Sequence, residues 1–317
     1  MHKSIWPGTP KSGPNSMTVF PIRRSTAAAF PPSLRLWILP FLAGGLILAD
    51  AVFAGMNGGW ATMIAALFIV IVGIPHGTLD VEIATARFGK SSALGKFAIL
   101  AGYLACASGM ALCWMLAPAI ALSLFLIISI IHFGLDWRGG ADPFLAMMVG
   151  WALIALPALS HPQDVSDIFA ILTGSPTGST ISALLACAAA PAALGSLVFA
   201  YWAFKNNERQ NAVDVIACMT AAIFVPPLVA FAVFFCGLHS PRHMAEALRE
   251  SVGISSARKG AIIAAVFLLS LAIGVVLFMG QSDLQVESGV IRTAFMLISI
   301  LTAPHFVLEH YRPTAKL

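Results

Sequence analysis

The chain has 317 residues, of which 59% are hydrophobic and 10% are charged, and its formal net charge is +4. A soluble domain of this length has too small a core to hide so much apolar surface, so the composition excludes an ordinary soluble fold. The small positive charge gives no indication of a nucleic-acid partner. We therefore predict an all-α fold, a polytopic transmembrane helical bundle whose apolar surface is covered by the lipid bilayer.

The N-terminal segment differs in composition from the rest of the chain. Residues 1–32 are rich in Pro, Gly and Ser and contain four basic residues, which is typical of a disordered basic tail. The apolar run that follows has spanning length and no small-residue cleavage site, so we expect it to remain as a helix. These features predict a transmembrane domain at 33–310 and a short cytoplasmic tail at 311–317.

Apolar runs of spanning length predict eight membrane helices, the first five of which are the clearest. They are Leu34–Phe53, Trp60–Asp80, Phe97–Leu116, Ala119–Asp136, Phe144–Leu159, Ile181–Phe204, Ala261–Gly280 and Val290–Leu308. The polar stretch Thr173–Thr180 is predicted to be a loop.

The segment Val215–Pro241 is uncharged and is interrupted by Pro226-Pro227, so it could form one kinked helix or a hairpin of two helices. Basic loops tend to stay on the cytoplasmic side of a membrane. A single helix would put the basic residues that follow it outside, whereas a hairpin keeps them inside. We favour a hairpin with arms at Asn207–Val225 and Pro227–Leu248. This gives about ten spans, with both termini in the cytoplasm, in a multi-pass protein of the cell (inner) membrane.

Six of the eight histidines stand at the ends of predicted helices, where polar side chains are costly unless they have a use. They are His76, His132, His239, His243, His305 and His310. In the ten-span topology these ends all lie at the cytoplasmic leaflet, so the side chains could meet there. His310 is ambiguous because it stands at the edge of the last helix, and His2 and His161 fall outside the group.

Most of these histidines have a polar partner four residues later, on the same helix face. The pairs are His76 with Asp80, His132 with Asp136, His239 with His243, and His305 with Glu309. Two imidazoles at this spacing can reach one metal, and a carboxylate can accept the N–H of an imidazole and fix its tautomer. The set predicts a metal site near the cytoplasmic leaflet. An intramembrane site of histidines favours a redox metal that acts on a lipid-soluble substrate.

The same motifs resemble those of the bacterial Brp/Blh-type β-carotene 15,15′-dioxygenases. They are Pro75-His76-Gly77-x-x-Asp80, His132-Phe133-Gly134-Leu135-Asp136, His239-Ser240-x-Arg242-His243, and Pro304-His305 with Glu309. The resemblance runs from Gly73 to Glu309 and includes the order and separation of the motifs. It implies a polytopic membrane enzyme that uses Fe(II) and O2 to split the central double bond of β-carotene into two molecules of all-trans-retinal.

The resemblance also implies roles for particular residues. The implied iron ligands are His76, His132, His239 and His243. Asp80 and Asp136 are expected to orient imidazoles, and His305 and Glu309 are additional candidates for the metal. A retinal-binding rhodopsin is implied as the acceptor of the product.

An apolar, rod-shaped substrate requires a tunnel that opens to the lipid. Four aromatic residues that flank the histidines are candidates for its wall, although ordinary helix packing explains them as well. They are Phe133, Trp137, Phe234 and Phe235.

Two other functions are compatible with intramembrane histidines and carboxylates. A proton-coupled transporter or channel uses such residues as a relay, and Pro226-Pro227 resembles the break of a discontinuous helix. A membrane di-iron desaturase or hydroxylase is the other alternative, but this sequence contains no adjacent pair of histidines.

Overall fold

The computed structural model describes residues 32–53, 59–89, 92–137, 140–251 and 253–310, and this part of the chain contains helices and turns but no strand. The predicted tails lie outside the described residues, apart from Pro32. The helices are α1 Pro32–Phe53, α2 Gly59–Gly73, α3 Asp80–Arg87, α4 Ala93–Leu116, α5 Pro118–Leu135, α6 Pro143–Ser160, α7 Pro162–Thr173, α8 Thr177–Lys205, α9 Arg209–Phe224, α10 Pro227–Phe234, α11 Ser240–Glu250, α12 Ser256–Met279 and α13 Val286–His310. A 3₁₀ turn at Ile74–Gly77 follows α2, and a π turn at Phe235–His239 joins α10 to α11.

Seven helical segments of the described chain are long and apolar enough to cross a membrane. They are Ala61–Arg87, Ala93–Leu116, Pro118–Leu135, Pro143–Ser160, Thr177–Lys205, Ser256–Met279 and Val286–His310. Large apolar side chains on their outer faces are exposed, such as Leu116 on α4 and Val276 on α12. Exposed apolar side chains on helices of this length are expected where lipid is the solvent. The predicted all-α, multi-pass architecture is therefore confirmed.

The other three predicted spans are helical, but they are not both long enough and apolar enough to count as membrane-crossing helices. Only Ile38–Ala49 of α1 is found as an apolar helix, and it is shorter than a span. Helix α9 has 16 residues, and α11 carries four charged side chains that lower the hydropathy of its arm. The count of ten spans therefore stays a prediction.

The chain reverses direction at Pro226-Pro227, as the hairpin hypothesis requires. Helix α9 ends where Val225 is extended, as expected for a residue before a proline, and Pro227 begins α10. Arg242 Nη2 on α11 lies 2.5 Å from Asp214 Oδ2 on α9. In one straight helix these residues would be about 42 Å apart, at about 1.5 Å per residue. The two arms therefore fold back on each other.

The predicted loop at Thr173–Thr180 is present but shorter, since only residues 174–176 are turn residues. Helix α8 begins at Thr177, and a further helix, α7, precedes it where the sequence analysis predicted none. Pro162 suits the first turn of α7, and Val165, Ile168 and Phe169 are buried at helical spacing. Gly174 ends α7 with a positive φ of 64°.

Close packing between α5 and α6 fixes the helix end that carries His132. A Cβ atom on Gly150 would clash with the backbone of Ile130 and Gly134, and one on Gly134 would lie 3.0 Å from Met147 Cα. Small residues allow membrane helices to approach this closely. Because His132 is only two residues before Gly134, this contact positions the backbone that carries its ring.

Ion pairs connect four helices at one end of the bundle. Arg87 on α3 lies 2.8 Å from Glu250 on α11, and Glu82 on α3 lies 3.3 Å from Arg258 on α12 and 3.8 Å from Lys96 near the start of α4. Charged residues that are far apart in the sequence therefore share one end of the molecule, which we call the charged end.

Candidate metal centre

Five imidazoles meet at the charged end, and we call them the histidine cluster. His76 lies in the 3₁₀ turn, His132 on α5, His239 in the π turn, His243 on α11 and His305 on α13. Neighbouring ring centres are 4.4 to 6.0 Å apart. The side chains of His132, His239 and His305 are buried. The structure thus brings together the four predicted ligands and the additional candidate His305.

Two glycines on either side of His76 make room for this convergence. A Cβ atom on Gly73 would overlap the ring of Phe235, so only glycine lets the π turn pack on the end of α2. A Cβ atom on Gly77 would lie 3.4 Å from His305 Nδ1 and 3.2 Å from Asp80 Oδ2. These contacts are tight, so glycine at both positions allows the other helices to close on the 3₁₀ turn.

A π turn, which the sequence pattern does not predict, places His239 in the cluster. Pro241 has no N–H and cannot make the regular helical hydrogen bond to Gly237, which favours a local widening of the helix. The ring of Phe235 stacks on that of His239, with centres 5.3 Å apart and an interplanar angle of 18°. This stacking fixes the ring plane of His239.

Asp136 and Asp80 accept hydrogen bonds from imidazoles on other helices. Asp136 Oδ2 lies 2.6 Å from His239 Nδ1, and its Oδ1 lies 2.8 Å from His243 Nε2. Asp80 Oδ2 lies 2.7 Å from His305 Nδ1. Both carboxylates contact imidazoles, as the motifs suggested, but not the histidines four residues before them. Sequence spacing alone could not identify these partners because they come from different helices.

Glu309 and His310 occupy the side of the cluster nearest the end of α13. Glu309 Oε1 lies 3.2 Å from His243 Nδ1, and its Oε2 lies 3.3 Å from His305 Nε2 and 3.4 Å from His132 Nδ1. The ring centre of His310 lies 5.5 Å from that of His132, at the edge of the cluster, and its Nδ1 atom lies 2.9 Å from the carbonyl oxygen of Phe306 on its own helix. Glu309 thus contacts three imidazoles of the cluster.

Buried polar atoms without a hydrogen-bond partner are concentrated here within the described chain. They include both ring nitrogens of His132, Nε2 of His239, Nε2 of His305 and Oε2 of Glu309. Such atoms are costly unless something binds them. A bound cation would satisfy them together, and the C-terminal end of α5 would add favourable dipole charge.

The donor set suits a transition metal. Ligand atoms of His132, His239 and His243 lie within 4.8 Å of one another, and so do those of His132, His305 and Glu309. Imidazole and carboxylate groups at this separation are ligands for first-row metals. His132 belongs to both groups, so we take it as the centre of the candidate site.

Two cavities of different character adjoin the cluster, and both are lined by His76 and His305. The polar cavity is also lined by Asp80, Arg87, His243, Glu246, Glu250 and Glu309. The apolar cavity is also lined by Tyr103, Phe235, Val266, Ile298, Leu301 and Thr302.

The residues that line the apolar cavity can be compared with the four aromatic residues that were predicted to line a substrate tunnel. Of the four candidates, Phe235 lines this cavity. Phe133 and Phe234 are buried against each other with ring centres 4.9 Å apart, and Trp137 is buried beneath the guanidinium of Arg242. These three are packing residues. No sequence motif points to Tyr103 or Val266, which come from helices without a histidine.

Fold and site together define a class of protein, namely a multi-pass helical membrane protein with a buried imidazole and carboxylate centre that fits a transition metal. The sequence profile of the family described as beta-carotene 15,15′-dioxygenase matches residues 67–311. The chain belongs to this family, as the motifs indicated.

Two curated relatives agree with the family match. The chain is 31% identical over 254 residues to a beta-carotene 15,15′-dioxygenase of an uncultured marine bacterium, which covers 77% of this chain and 91% of the relative. It is 25% identical over 337 residues to a Halobacterium salinarum protein named Probable beta-carotene 15,15′-dioxygenase Blh, which covers 93% and 95%. No solved structure matches the chain.

Proposed function

We propose that this protein cleaves β-carotene at its central double bond with O2 and releases two molecules of all-trans-retinal. Family membership supports the reaction, and the observation that carries the proposal for this chain is a histidine cluster standing against an apolar cavity. In the balanced reaction one carbon–carbon double bond breaks and two aldehyde groups form. Each receives one atom of the same O2 molecule, so no outside reductant is required.

The metal that we propose for the histidine cluster is Fe(II). Imidazole ligands suit iron, copper and zinc, and a reaction with O2 favours a metal that can change its oxidation state. Bound iron would supply the electrons that allow O2 to react with a closed-shell polyene. The four ligands that the sequence motifs imply, His76, His132, His239 and His243, all belong to the cluster.

The carboxylates would hold the imidazoles in place. Asp136 accepts a hydrogen bond from Nδ1 of His239, and Asp80 accepts one from Nδ1 of His305. A proton held on Nδ1 leaves Nε2 with a free lone pair, which is the form that binds a metal. These contacts would therefore favour the Nδ1–H tautomer and hold the rings of His239 and His305 in position before metal binds.

The apolar cavity is the proposed place for the centre of the polyene. β-Carotene is a hydrocarbon and dissolves in the lipid, so its route to the cluster should start at the membrane. Val266 of α12 lines the cavity, and only Ser270 and Gly274 of α12 are fully buried, so this helix separates the cavity from lipid. We propose that the substrate enters beside α12 and lies against Phe235 and Tyr103.

We also propose the ten-span topology, with the charged end at the cytoplasmic face of the cell (inner) membrane. Basic residues at that end, including Arg87, Lys96 and Arg258, support the orientation. Retinal released into the lipid would then be available to a retinal-binding rhodopsin.

Expression in bacteria that accumulate β-carotene tests the proposed reaction. The parent chain should bleach the cells and produce retinal, identified by chromatography. A His161→Ala control, which changes a histidine outside the cluster, should behave like the parent. Unchanged β-carotene in cells that contain folded, iron-loaded protein would contradict the proposal.

A further inference from the structure

The polar cavity joins the histidine cluster to the surface of the charged end. Its inner wall includes the imidazole of His305, and its outer rim is formed by Glu246 and Glu250, which are exposed. Between them the accessible fraction of the side chain falls from 40% at Glu250 to 28% at Glu309 and 10% at Asp80. Carboxylates therefore occur at every depth between the surface and the buried imidazoles.

The polar cavity has an excess of negative charge. Among the described residues that line it are four carboxylates and one guanidinium, that of Arg87. Arg87 is held against the wall, because its Nη2 lies 2.8 Å from Glu250 Oε2 and its Nη1 donates to the carbonyl oxygens of Leu308 and Glu309. Glu246 makes no hydrogen bond or ion pair within the described part of the chain. The mouth of the cavity thus presents a free carboxylate that attracts cations.

The inner end of the polar cavity contains groups that a cation would stabilise. Nε2 of His305 and Oε2 of Glu309 are buried and make no hydrogen bond, although they lie 3.3 Å from each other. The His305 side chain is only 8% accessible. Buried polar atoms in this state are costly unless something binds them. This observation is independent of the acidic rim and points to the same kind of ligand.

The apolar cavity offers a metal ion no comparable approach. Its described lining contains no carboxylate, ammonium or guanidinium group, and Val266 of α12 separates it from lipid. Moving an ion out of water into such surroundings without compensating charge is very costly. Of the two cavities beside the cluster, the polar one is therefore the one that suits a hydrated metal ion.

We propose that Fe(II) reaches the histidine cluster from the charged end through the polar cavity, and that Glu246 is the outer carboxylate that first binds the hydrated ion. Asp80 and Glu309 lie between Glu246 and the imidazoles and carry the ion inwards. This inference rests on the metal centre of the proposed function and adds the route by which the ion arrives. The two cavities then have separate tasks, since one admits the ion and the other the hydrocarbon.

The rate of metal uptake by purified, metal-free, full-length protein tests this route. Cobalt(II) is the probe, without any carotenoid, because it accepts imidazole and carboxylate ligands and its visible absorption changes on binding. Attraction into a charged cleft raises association rates by about 10–10³-fold, so we expect Glu246→Gln to slow uptake by about threefold and Glu246→Lys by about tenfold. A group on the route assists exit as well as entry, so release to excess chelator should slow similarly and the equilibrium affinity should change little.

Three further variants control for charge and for structure. Glu287→Lys makes the same change of charge at the opposite end of α13 from Glu309 and should take up cobalt like the parent. Val266→Trp fills the apolar cavity and should also leave uptake unchanged, whereas Ile83→Trp narrows the polar cavity without changing its charge and should slow uptake. The effect of Glu246→Lys should shrink at high salt, where charges are screened. Helix content would be measured on the same samples.

The outcomes separate the route from the proposed function. Parent-like uptake in Glu246→Lys, or equal slowing in Glu287→Lys, would overturn the route. So would a loss of affinity as large as the loss of uptake rate, because Glu246 would then act on the bound ion. None of these results affects carotene cleavage by iron-loaded protein. A parent chain that takes up cobalt by this route but leaves β-carotene intact when loaded with iron would overturn the proposed function and not the route.

Discussion

The polar and apolar cavities touch the same two imidazoles, His76 and His305, but their other walls differ in chemistry. Carboxylates from α3, α11 and α13 line the polar cavity, whereas side chains of α4, α12 and α13 such as Tyr103, Val266 and Leu301 line the apolar one. The histidine cluster is therefore a boundary between a charged region that suits a metal ion and an apolar region that suits a hydrocarbon. Substitutions on the two sides should have separable effects.

The largest effect on iron content and retinal formation is expected for a substitution in the histidine cluster itself. His132 belongs to both groups of candidate ligands, and neither of its buried nitrogens makes a hydrogen bond, although Glu309 Oε2 lies 3.4 Å from its Nδ1. His132→Ala should therefore reduce iron content and retinal formation together to background. The check is iron per chain, measured beside product chromatography on the same preparation. Parent-like iron content in a folded His132→Ala protein would contradict the account.

Asp136→Asn should weaken the metal site without removing a ligand. Asp136 contacts both His239 and His243, so the amide would lose one of two charge-assisted hydrogen bonds and would loosen both rings. We expect iron affinity to fall about 10–100-fold, with retinal formation recovering as iron is added. A matched variant, Asp167→Asn, changes an exposed carboxylate outside the cluster and should leave affinity unchanged. Equal iron affinity in Asp136→Asn and the parent would remove the proposed orienting role.

Filling the apolar cavity should lower the activity without lowering the iron content. Val266→Trp places a large ring in the space proposed for the polyene and should lower kcat/KM for β-carotene by about tenfold or more, with iron content unchanged. Leu269→Trp on the exposed face of the same helix is the matched control and should resemble the parent. If the two variants have the same activity, the substrate does not use this cavity.

The smallest effect is expected at the outer rim of the polar cavity. The ion pair between Arg87 and Glu250 is partly exposed, with 23% and 40% of the side-chain surface accessible. Such pairs contribute about 1 kcal/mol or less, so Glu250→Gln should change the unfolding free energy by no more than this and leave iron affinity unchanged. A loss of iron in Glu250→Gln would show that the polar region is coupled to the metal more tightly than its contacts indicate.

Much of the fold follows from composition and helix-breaking residues alone. The apolar runs predicted the spanning helices, and Pro226-Pro227 together with the basic residues after it predicted the reversal that the Asp214–Arg242 pair demonstrates. Helix α7 was not predicted because a short segment with many polar residues is hard to distinguish from a loop when its packing partner is unknown. Its burial against α8 became visible only in three dimensions.

In the site, too, features that depend on neighbouring residues in the sequence could be predicted, whereas contacts between different helices could not. Spacing four residues apart identified the right carboxylates, but a helix face says nothing about which other helix it meets, so Asp80 was not paired with His305. The π turn depends on a missing N–H at Pro241, and its effect on His239 appears only after the helices pack. The residues that line the apolar cavity were the hardest to predict, since Tyr103 and Val266 belong to no sequence motif.

The central claim is that a metal in the histidine cluster cleaves a hydrocarbon held in the adjacent apolar cavity. The most direct test adds a known amount of O2 to purified, Fe(II)-loaded protein that already contains β-carotene, and measures O2 consumption and all carotenoid products. The account predicts two molecules of retinal for each β-carotene and each O2 consumed, with no reaction in metal-free protein. Intact β-carotene, or cleavage products of unequal length, would contradict it.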